Sequence, residues 1–467
     1  GDITISAGES GNNVTQNENT TKNDTDTIIT NREEGASSHT VTIDAKDKDD
    51  KVEVTLKDAN IDTSKQSKAA VSVTGSGDTT IELDGDNELQ GGDRHAGLEH
   101  NQTVDSEGNV TSGKLTIQDD NDNAGSLTAT GGYFGAGIGG GSAKAGQVTI
   151  TGGTITAISG DGAGIGGGQG NMGSNAGNAD IEISGGTIEA TGGYTSAGIG
   201  GGYYGDATIK ITGDAVIKNA TGGTFGAGIG GGGGGNGDVT ISGNAKIENA
   251  QGGYAGSGIG GGYGASGTVT IKDDSTVTAT GGEAGAGIGG GVGGLADVTI
   301  EGNATVNAIG GVGSAGIGGG YDAENDEDDG NGNQISIKSN ESGAPTVNAT
   351  GGESSIDKKT GEKIPGGAGI GSGAGDAKAN ITLEGKVTIV AKAGEGNAAI
   401  GDMNGEQVFT GLDGSITRYD SEGNDTTLPT DPGYPVPADT SSSGGGSAGA
   451  SVQESVFPGL VVTDKDG

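Results

Sequence analysis

Tyrosines recur at two places beside a repeated glycine-rich motif, and their rings are well suited to bind a ligand. The motif reads Ala136-Gly-Ile138-Gly-Gly-Gly141. Tyr133, Tyr194 and Tyr254 stand before copies of the motif, and Tyr203, Tyr263 and Tyr321 stand after copies of it. Aromatic rings stack on the apolar faces of sugars, so these six tyrosines are candidate carbohydrate-binding residues. The alternative interpretation is that they cover corners and fill space beside glycine.

A second candidate site lies in an acidic insertion, residues 322–333. Its spacing loosely resembles a calcium-binding loop, with oxygen ligands and a glycine at Asn325, Glu327, Asp329 and Gly330. The carboxylates that we predict as calcium ligands are Asp326, Asp328 and Asp329. The flanking helices and the terminal glutamate of a calcium-binding loop are missing, and the alternative is a solvated acidic loop. Calcium is the one cofactor that the sequence suggests.

Short strands in a repeat of about 30 residues must position these side chains. The central isoleucine of the motif recurs at Ile138, Ile165, Ile199, Ile229, Ile259, Ile288, Ile317, Ile370 and Ile400. Each repeat holds three strand signals, which are the motif, an alternating triplet such as Val148-Thr-Ile150, and a segment centred on a residue such as Ile155. No helical period appears, and glycine at every corner would break a helix. The pattern predicts an all-β, right-handed parallel β-helix with three short strands per turn.

The turns of such a solenoid place equivalent residues about 4.8 Å apart along its axis. Tyr203, Tyr263 and Tyr321 recur in every second turn, so we expect them roughly 10 Å apart, which is similar to the length of a disaccharide. The alternation of the motif turns Gly137 and Gly139 outward. We therefore predict a strip without side chains, flanked by tyrosines, as the floor of a sugar-binding groove.

The repeat divides the chain into five parts. We assign residues 1–51 to an N-terminal cap and leading strands, 52–112 to divergent β-helix turns, 113–406 to the regular repeats, 407–430 to a C-terminal cap, and 431–467 to a linker and tail. In the divergent part, Ala96-Gly97-Leu98 stands where later repeats have Ala-Gly-Ile.

Composition excludes several classes of protein. The chain has 107 glycines but only 7 prolines and no Gly-X-Y register, which excludes collagen. A net charge of −39 without a basic patch argues against binding to nucleic acid or to anionic membranes. No apolar run has the length of a membrane-spanning helix, so we predict no membrane insertion. The chain contains no cysteine, which excludes disulfides and thiolate chemistry.

The repeat resembles those of secreted and wall-anchored proteins of Gram-positive bacteria. The resemblance rests on Ala-Thr-Gly-Gly-(x)-Gly-Ala-Gly-Ile-Gly-Gly-Gly, followed by Val-Thr-Ile and Gly-Gly-Thr-Ile, and on the upstream segments 54–61 and 81–89. It is similar to the β-helical "carbohydrate-binding domain-containing" group, whose fold is similar to that of polysaccharide lyases. The resemblance implies an extracellular or cell-surface location and a polysaccharide partner, such as an acidic polysaccharide, a plant fibre or a host glycan, sometimes with calcium.

No residues in the sequence indicate catalysis. Polysaccharide-cleaving β-helices bring carboxylates and a basic residue together on one strand face, and we find no turn that does so here. Three histidines, for which we predict surface positions, are His39, His95 and His100. We therefore predict a non-catalytic extracellular β-helix that binds polysaccharide or acts as a surface adhesin. The alternatives are a structural stalk of a cell-surface protein and, less favoured, a polysaccharide-degrading enzyme.

Overall fold

The chain folds into a parallel β-solenoid. The structure, a computed structural model, describes residues 1–435 except 33, 122, 171–176, 326–331, 359 and 376. Within these residues it contains β-strands and no α-helix. The strands stack in about 13 turns, and each regular turn contributes one strand to each of three parallel sheets, A, B and C. The predicted parallel β-helix is therefore confirmed.

Sheet A contains the glycine-rich motif. Its parallel strands are Ile3–Ala7, Val41–Ala45, Val71–Gly75, Leu98–His100, Ile138–Gly139, Ile165–Gly166, Ile199–Gly200, Ile229–Gly230, Ile259–Gly260, Ile288–Gly289, Ile317–Gly318, Ile370–Gly371 and Ile400–Asp402. Equivalent residues pair in register, so Ile138 lies beside Ile165 and Gly139 beside Gly166. Each turn is named below by the first residue of its sheet A strand.

Sheet B contains the alternating triplets. Its strands are Ile28–Ile29, Lys51–Lys57, the first half of Asp78–Gln90, Leu115–Gln118, Gly146–Ile150, Ala179–Ile183, Ala207–Ile211, Gly237–Ile241, Gly267–Ile271, Ala296–Glu301, Asn333–Lys338 and Ala379–Glu384. Val239 and Ile241 are fully buried, whereas Thr240 between them is half-buried. The period of two therefore separates an inner face from an outer face, as predicted.

Sheet C closes each turn. Its strands are Asn60–Asp62, the second half of Asp78–Gln90, Gly125–Thr130, Thr154–Ile158, Thr187–Thr191, Val216–Thr221, Lys246–Gln251, Thr276–Thr280, Thr305–Ile309, Thr346–Thr350, Lys386–Lys392 and Asp413–Tyr419. In the strand Thr276–Thr280, Val277 and Ala279 are buried and the threonines are half-buried. Beyond the three sheets, Ser355–Ile356 and Lys363–Ile364 form a small antiparallel hairpin within an insertion.

One apolar core runs inside the three sheets from Ile5 to Ile416. Its buried members are isoleucine, leucine, valine and alanine. They stack on their equivalents, so that Ile211 pairs with Ile241 and Ile241 pairs with Ile271. Because each turn packs mainly on its two neighbours, the stability of the solenoid is the sum of similar contributions from successive interfaces.

The two ends of the solenoid are covered by strands of opposite direction. At the N-terminal end, Asn12–Gln16 runs antiparallel to Ile3–Ala7, and Asn19–Asp24 runs antiparallel to Asn12–Gln16. At the C-terminal end, Gly405–Glu406 runs antiparallel to Ile400–Asp402. These segments cover sheet edges that would otherwise offer unpaired backbone groups to another chain.

A buried arginine holds the C-terminal end together. The guanidinium of Arg418 is fully buried and donates two hydrogen bonds to the Asp431 carboxylate, from Nε at 2.7 Å and from Nη2 at 2.9 Å. Its Nη1 donates to Glu406, and Nη2 also donates to the carbonyl oxygen of Gln407 at 2.9 Å. One side chain thereby ties together three segments that follow the last sheet A strand.

Candidate functional site

Two loops of every regular turn meet above sheet A. The leading loop joins a sheet C strand to the next sheet A strand, and the trailing loop joins that strand to sheet B. A backbone N–H in the trailing loop of one turn donates a hydrogen bond to a carbonyl oxygen in the leading loop of the preceding turn. The donor–acceptor pairs, at 2.7 to 3.3 Å, are Ser142–Arg94, Gln169–Phe134, Gly233–Thr195, Tyr263–Phe225, Val292–Ala255 and Tyr321–Ala284. These bonds join loops of neighbouring turns over the glycine strands.

The glycine strands therefore do not form an open groove floor. Gly137 and Gly139 are buried. A Cβ on Gly139 would lie 2.1 Å from the carbonyl oxygen of Gly166, and a Cβ on Gly137 would lie 2.6 Å from that of Gly164. The backbone of the next turn occupies the space that a side chain would need. The predicted bare strip is wrong, because these glycines allow close stacking of turns under the loops.

The six predicted tyrosines all lie on the loops that cover sheet A. In the leading loops, Tyr133, Tyr194 and Tyr254 are 62%, 60% and 55% exposed. In the trailing loops, Tyr263 is 49% exposed, whereas Tyr203 and Tyr321 are half-buried. The most exposed tyrosines are therefore those of the leading loops. We call Tyr133, Tyr194 and Tyr254 the aromatic row.

The aromatic row has a regular spacing. Each member stands five residues before the isoleucine of its turn, and the three turns are those of Ile138, Ile199 and Ile259. One further turn lies between successive members, so the rings recur roughly every 10 Å along the axis. The intervening turns carry Gly160 and Thr224 at the same position. Small residues therefore separate the tyrosines of the row.

Further aromatic residues, which the sequence analysis did not single out, support the row from one side. Phe225 lies in the leading loop of the turn between Tyr194 and Tyr254, and its ring centroid is 5.4 Å from that of Tyr194. The same ring lies 5.5 Å from that of Tyr263 in an edge contact. Phe134 makes a similar edge contact with Tyr133, at 4.6 Å. Phe134 and Phe225 each stand four residues before the isoleucine of their turn, and this shared position could have identified them in the sequence.

Two trailing-loop tyrosines have their hydroxyls or rings engaged by the protein. Tyr203 and Tyr204 have ring centroids 4.2 Å apart, and the hydrogen bond between their side chains raises the pKa of the Tyr203 hydroxyl. Tyr321 lies beneath the insertion hairpin, since a Cβ on Gly313 would meet both its ring and the side chain of Ile364 within 3.2 Å. Burial raises the pKa of the Tyr321 hydroxyl. The hairpin therefore ends the aromatic surface on the C-terminal side.

A polar cleft borders the aromatic row on the N-terminal side, in the Leu98 turn. Four residues of this turn are Arg94, His95, Glu99 and Asn101, where the Ile138 turn has Phe134, Gly135, Gly139 and Gly141. With Lys144 and Phe134 they line a cavity of about 440 Å³, which we call the Arg94 cleft. The signal in the sequence is the departure of residues 93–101 from the repeat. The sequence predicts no turn that joins several carboxylates to a basic residue, and the lining of this cleft contains one carboxylate, that of Glu99.

The histidines occupy different environments. His39 is exposed, but His100 is only 2% exposed, so the predicted surface position of His100 is wrong. Its Nδ1 and Nε2 lie 3.2 Å from the carbonyl oxygen of Val73 and 2.9 Å from that of Gly113. Burial lowers the pKa of the His100 imidazole. His95 is in contact with the Glu99 carboxylate in the Arg94 cleft, with 2.8 Å between Nδ1 and Oε2.

The predicted calcium ligands Asp326, Asp328 and Asp329 lie outside the described residues, and the calcium prediction stays a prediction. Within the described residues, no group of three or more histidine, aspartate or glutamate side chains is arranged to hold a metal ion. The described part of the chain also contains no helix long and apolar enough to cross a membrane.

Comparison with known proteins agrees with the architecture. A family model described as a beta helix repeat matches residues 123–142, 148–169, 181–203, 269–292 and 298–321. All five segments run from a sheet B or sheet C strand through a sheet A strand, and therefore include leading loops of the cover. No curated protein and no solved structure matches the chain. The fold and the repeat matches define a β-helix repeat protein.

Proposed function

We propose that this chain is a non-catalytic extracellular protein that binds a polysaccharide, as a glycan-binding module or a surface adhesin, through the aromatic row. The observation that carries the proposal is the regular exposure of Tyr133, Tyr194 and Tyr254 in every second turn. A polymer with a repeat of two sugars would meet an equivalent ring about every 10 Å. The spacing therefore suits a glycan chain that lies along the solenoid axis.

The distribution of aromatic residues supports this assignment. Up to residue 408 the chain has nine tyrosine and phenylalanine residues, and all of them lie in leading or trailing loops: Tyr133, Phe134, Tyr194, Tyr203, Tyr204, Phe225, Tyr254, Tyr263 and Tyr321. The core is built without them. Exposed tyrosines that contribute little to the core are expected to serve recognition, because each ring combines an apolar face with a hydroxyl.

The aromatic row is tested by replacing two of its rings. The variant with Tyr194→Ala and Tyr254→Ala should bind a recognised glycan at least about tenfold more weakly, since each lost ring contact removes about 1 kcal/mol. The glycan is first identified on an array of plant, host and bacterial polysaccharides, and affinities are then measured by isothermal titration calorimetry. The melting temperature should change little, because both rings are more than half exposed.

The matched control is Tyr194→Phe with Tyr254→Phe, which keeps the rings and removes only the hydroxyls. It should retain most of the affinity if ring stacking dominates. Equal affinity of the wild-type chain and the double alanine variant would contradict binding through the aromatic row.

A structural spacer is the second candidate function, and the length of the solenoid favours it. About 13 turns span about 60 Å along the axis. A rod of this length can hold another domain away from a surface without binding any ligand. A folded chain that binds nothing on the array, with and without calcium, would favour the spacer over the glycan-binding module.

A further inference from the structure

The insertion in the leading loop of the Ile370 turn is an addition to a complete turn. Residues 351–353 read Gly-Gly-Glu, and residues 367–370 read Gly-Ala-Gly-Ile. The leading loop of the Ile288 turn has the same residues on either side of a single alanine, Ala284. Residues 354–366 therefore stand where the shorter loop has one residue, and the repeat does not need them to complete this turn.

The backbone hydrogen bonds of the shorter loops persist beneath the insertion. The N–H of Gly367 donates to the carbonyl oxygen of Gly352 at 3.0 Å, and the equivalent glycines of the Ile288 turn make the same bond at 3.4 Å. The N–H of Ala374 in the trailing loop donates to the carbonyl oxygen of Gly313 in the preceding turn at 2.6 Å. The insertion thus lies on top of loops that are already joined.

The strands Ser355–Ile356 and Lys363–Ile364, which we call the strap, lie over Tyr321. A Cβ on Gly313 would be 2.9 Å from Cδ2 of the Tyr321 ring and 3.2 Å from Cγ2 of Ile364, so the ring and the strap meet at the same glycine. Burial raises the pKa of the Tyr321 hydroxyl, and two carboxylates raise it further, of which Asp357 belongs to the hairpin. The hairpin therefore approaches this tyrosine at both its ring and its hydroxyl.

Glu395, in the leading loop of the Ile400 turn, holds the strap from the other side. Its carboxylate forms an ion pair with Lys363 and accepts a hydrogen bond from Ser354 Oγ at 2.7 Å. Its carbonyl oxygen accepts a hydrogen bond from the N–H of Gly366 at 2.7 Å. The side chains of Lys363 and Glu395 are 57% and 53% exposed, and ion pairs between exposed side chains are weak. Opening the strap breaks this weak pair and leaves the sheets intact.

Tyr321 is the next trailing-loop tyrosine after Tyr263. Each stands four residues after the isoleucine of its turn, and one turn lies between them, so they recur roughly 10 Å apart along the axis. Tyr263 is 49% exposed, and the Phe225 ring connects it to Tyr194 of the aromatic row, with centroid distances of 5.5 and 5.4 Å. A glycan chain that extends past Tyr263 would meet Tyr321 next, at the place where the strap lies.

We infer that the strap is an autoinhibitory cover over an additional glycan-binding position at Tyr321. The inference rests on the proposed glycan-binding function. In the closed arrangement the strap ends the aromatic surface after Tyr263. When the strap opens, the Tyr321 ring joins that surface and offers one more face on which a sugar can stack. Because only a long chain reaches this position, the strap controls the affinity for long chains and leaves that for short chains unchanged.

The test restores the shorter loop in the full chain. In the short-loop variant, residues 354–366 are replaced by one alanine, which gives this loop the sequence of the Ile288 turn. The glycan identified on the array is used in a short form that spans about 10 Å and a long form that spans about 30 Å. By isothermal titration calorimetry, the variant should bind the long form about fivefold more tightly than the wild type does, through one added ring contact. Both proteins should bind the short form equally.

Two substitutions test the strap without removing it. Glu395→Gln removes the ion pair with Lys363 and should raise the affinity for the long form in the same direction as the short-loop variant, by a smaller factor. The matched control is Glu362→Gln, which makes the same change of charge on an exposed residue of the hairpin that has no ion pair within the described residues. It should leave both affinities unchanged. Equal effects of the two substitutions would show that net charge, and not the strap, is responsible.

Tyr321→Ala shows whether the covered ring is the one that binds. In the short-loop variant it should abolish the gain in affinity for the long form, whereas in the wild-type chain, where the ring is covered, it should have little effect. Circular dichroism confirms that each variant is folded. A short-loop variant that binds the long form no more tightly than the wild type does, or a gain that survives Tyr321→Ala, would overturn the inference.

The outcome can be separated from that of the aromatic row. If the double alanine variant at Tyr194 and Tyr254 loses affinity for both forms while the short-loop variant binds as the wild type does, the proposed function stands and the strap is not a cover. If the double alanine variant binds both forms as the wild type does, the row fails. A gain in the short-loop variant that Tyr321→Ala abolishes would then still support a binding position at Tyr321.

Discussion

At the scale of the residue, glycine decides how closely the turns can stack. Gly200 has a φ of 139° and is followed in the next turn by Gly230 in register. A Cβ at this position would lie 1.9 Å from the carbonyl oxygen of Gly230, which no side-chain rotation can avoid. The same conformation and contact recur in the sheet A strands from the Ile138 turn to the Ile370 turn, so the glycine is required by geometry.

Gly200→Ala should therefore destabilise the solenoid by about 3 kcal/mol or more, through the clash and the strained φ together. The matched control is Gly264→Ala, where φ is 70° but no atom lies within 4 Å of the added Cβ. That variant should lose only about 1 kcal/mol from backbone strain. Urea denaturation followed by circular dichroism measures both. Equal losses in the two variants would show that backbone conformation, and not stacking, is the constraint.

The sequence contained much of this information at the residue scale, but not all of it. The burial of Ile138 follows from strand alternation, and the tyrosine positions follow from their spacing. The burial of the glycines does not, because it depends on hydrogen bonds between loops of different turns. The burial of His100 likewise depends on carbonyl groups of Val73 and Gly113, which lie 27 and 13 residues away.

At the scale of the element, the loops hold the candidate binding surfaces and the caps protect the ends of the solenoid. The strands repeat one pattern, whereas the loops hold the aromatic row and the Arg94 cleft. The caps protect the ends of a stack whose interior turns are nearly equivalent. Asp431, assigned to the linker from the sequence, is 4% exposed and partners Arg418 in the structure.

The C-terminal cap should depend strongly on that partnership. Asp431→Ala removes a buried carboxylate and leaves the Arg418 charge with less compensation, so we expect a loss of about 3 to 5 kcal/mol in the stability of the cap. Hydrogen exchange should show faster exchange first in the last sheet C strand, Asp413–Tyr419.

The control for the cap is Glu248→Ala, which breaks the ion pair between Lys246 and Glu248, a pair of exposed side chains. It should change the stability very little, because ion pairs between exposed side chains contribute little to folding. If Asp431→Ala lowers the stability no more than Glu248→Ala does, the pairing of strands alone closes this end.

At the scale of the whole molecule, the net charge of −39 opposes the stacked architecture. In the paired strands, acidic residues lie beside neutral or basic residues of the next turn, as Asp238 does beside Thr208 and Thr268. The remaining repulsion between carboxylates acts over longer distances and is screened by salt over a Debye length of about 10 Å at 0.1 M. Sodium chloride raised from about 10 mM to about 150 mM should therefore increase the melting temperature. Differential scanning calorimetry measures the shift.

Potassium chloride at the same ionic strength is the control for that prediction. It should give the same increase, because general screening does not distinguish the two cations. A melting temperature that falls or stays constant with salt would show that repulsion between turns is unimportant. A much larger increase with calcium chloride at matched ionic strength would instead support the predicted calcium site.

By itself the sequence determined the class of fold, because a period of about 30 residues with three alternating segments has few solutions other than a parallel β-helix. It also determined which tyrosines to examine, since stacking preserves their register. Only the tertiary structure decided that the loops close over the glycine strands, that Tyr321 lies under a hairpin, and that Arg94, His95 and Glu99 line one cleft with Phe134. These features depend on contacts between turns, and a repeat pattern read along one chain does not specify how neighbouring turns meet.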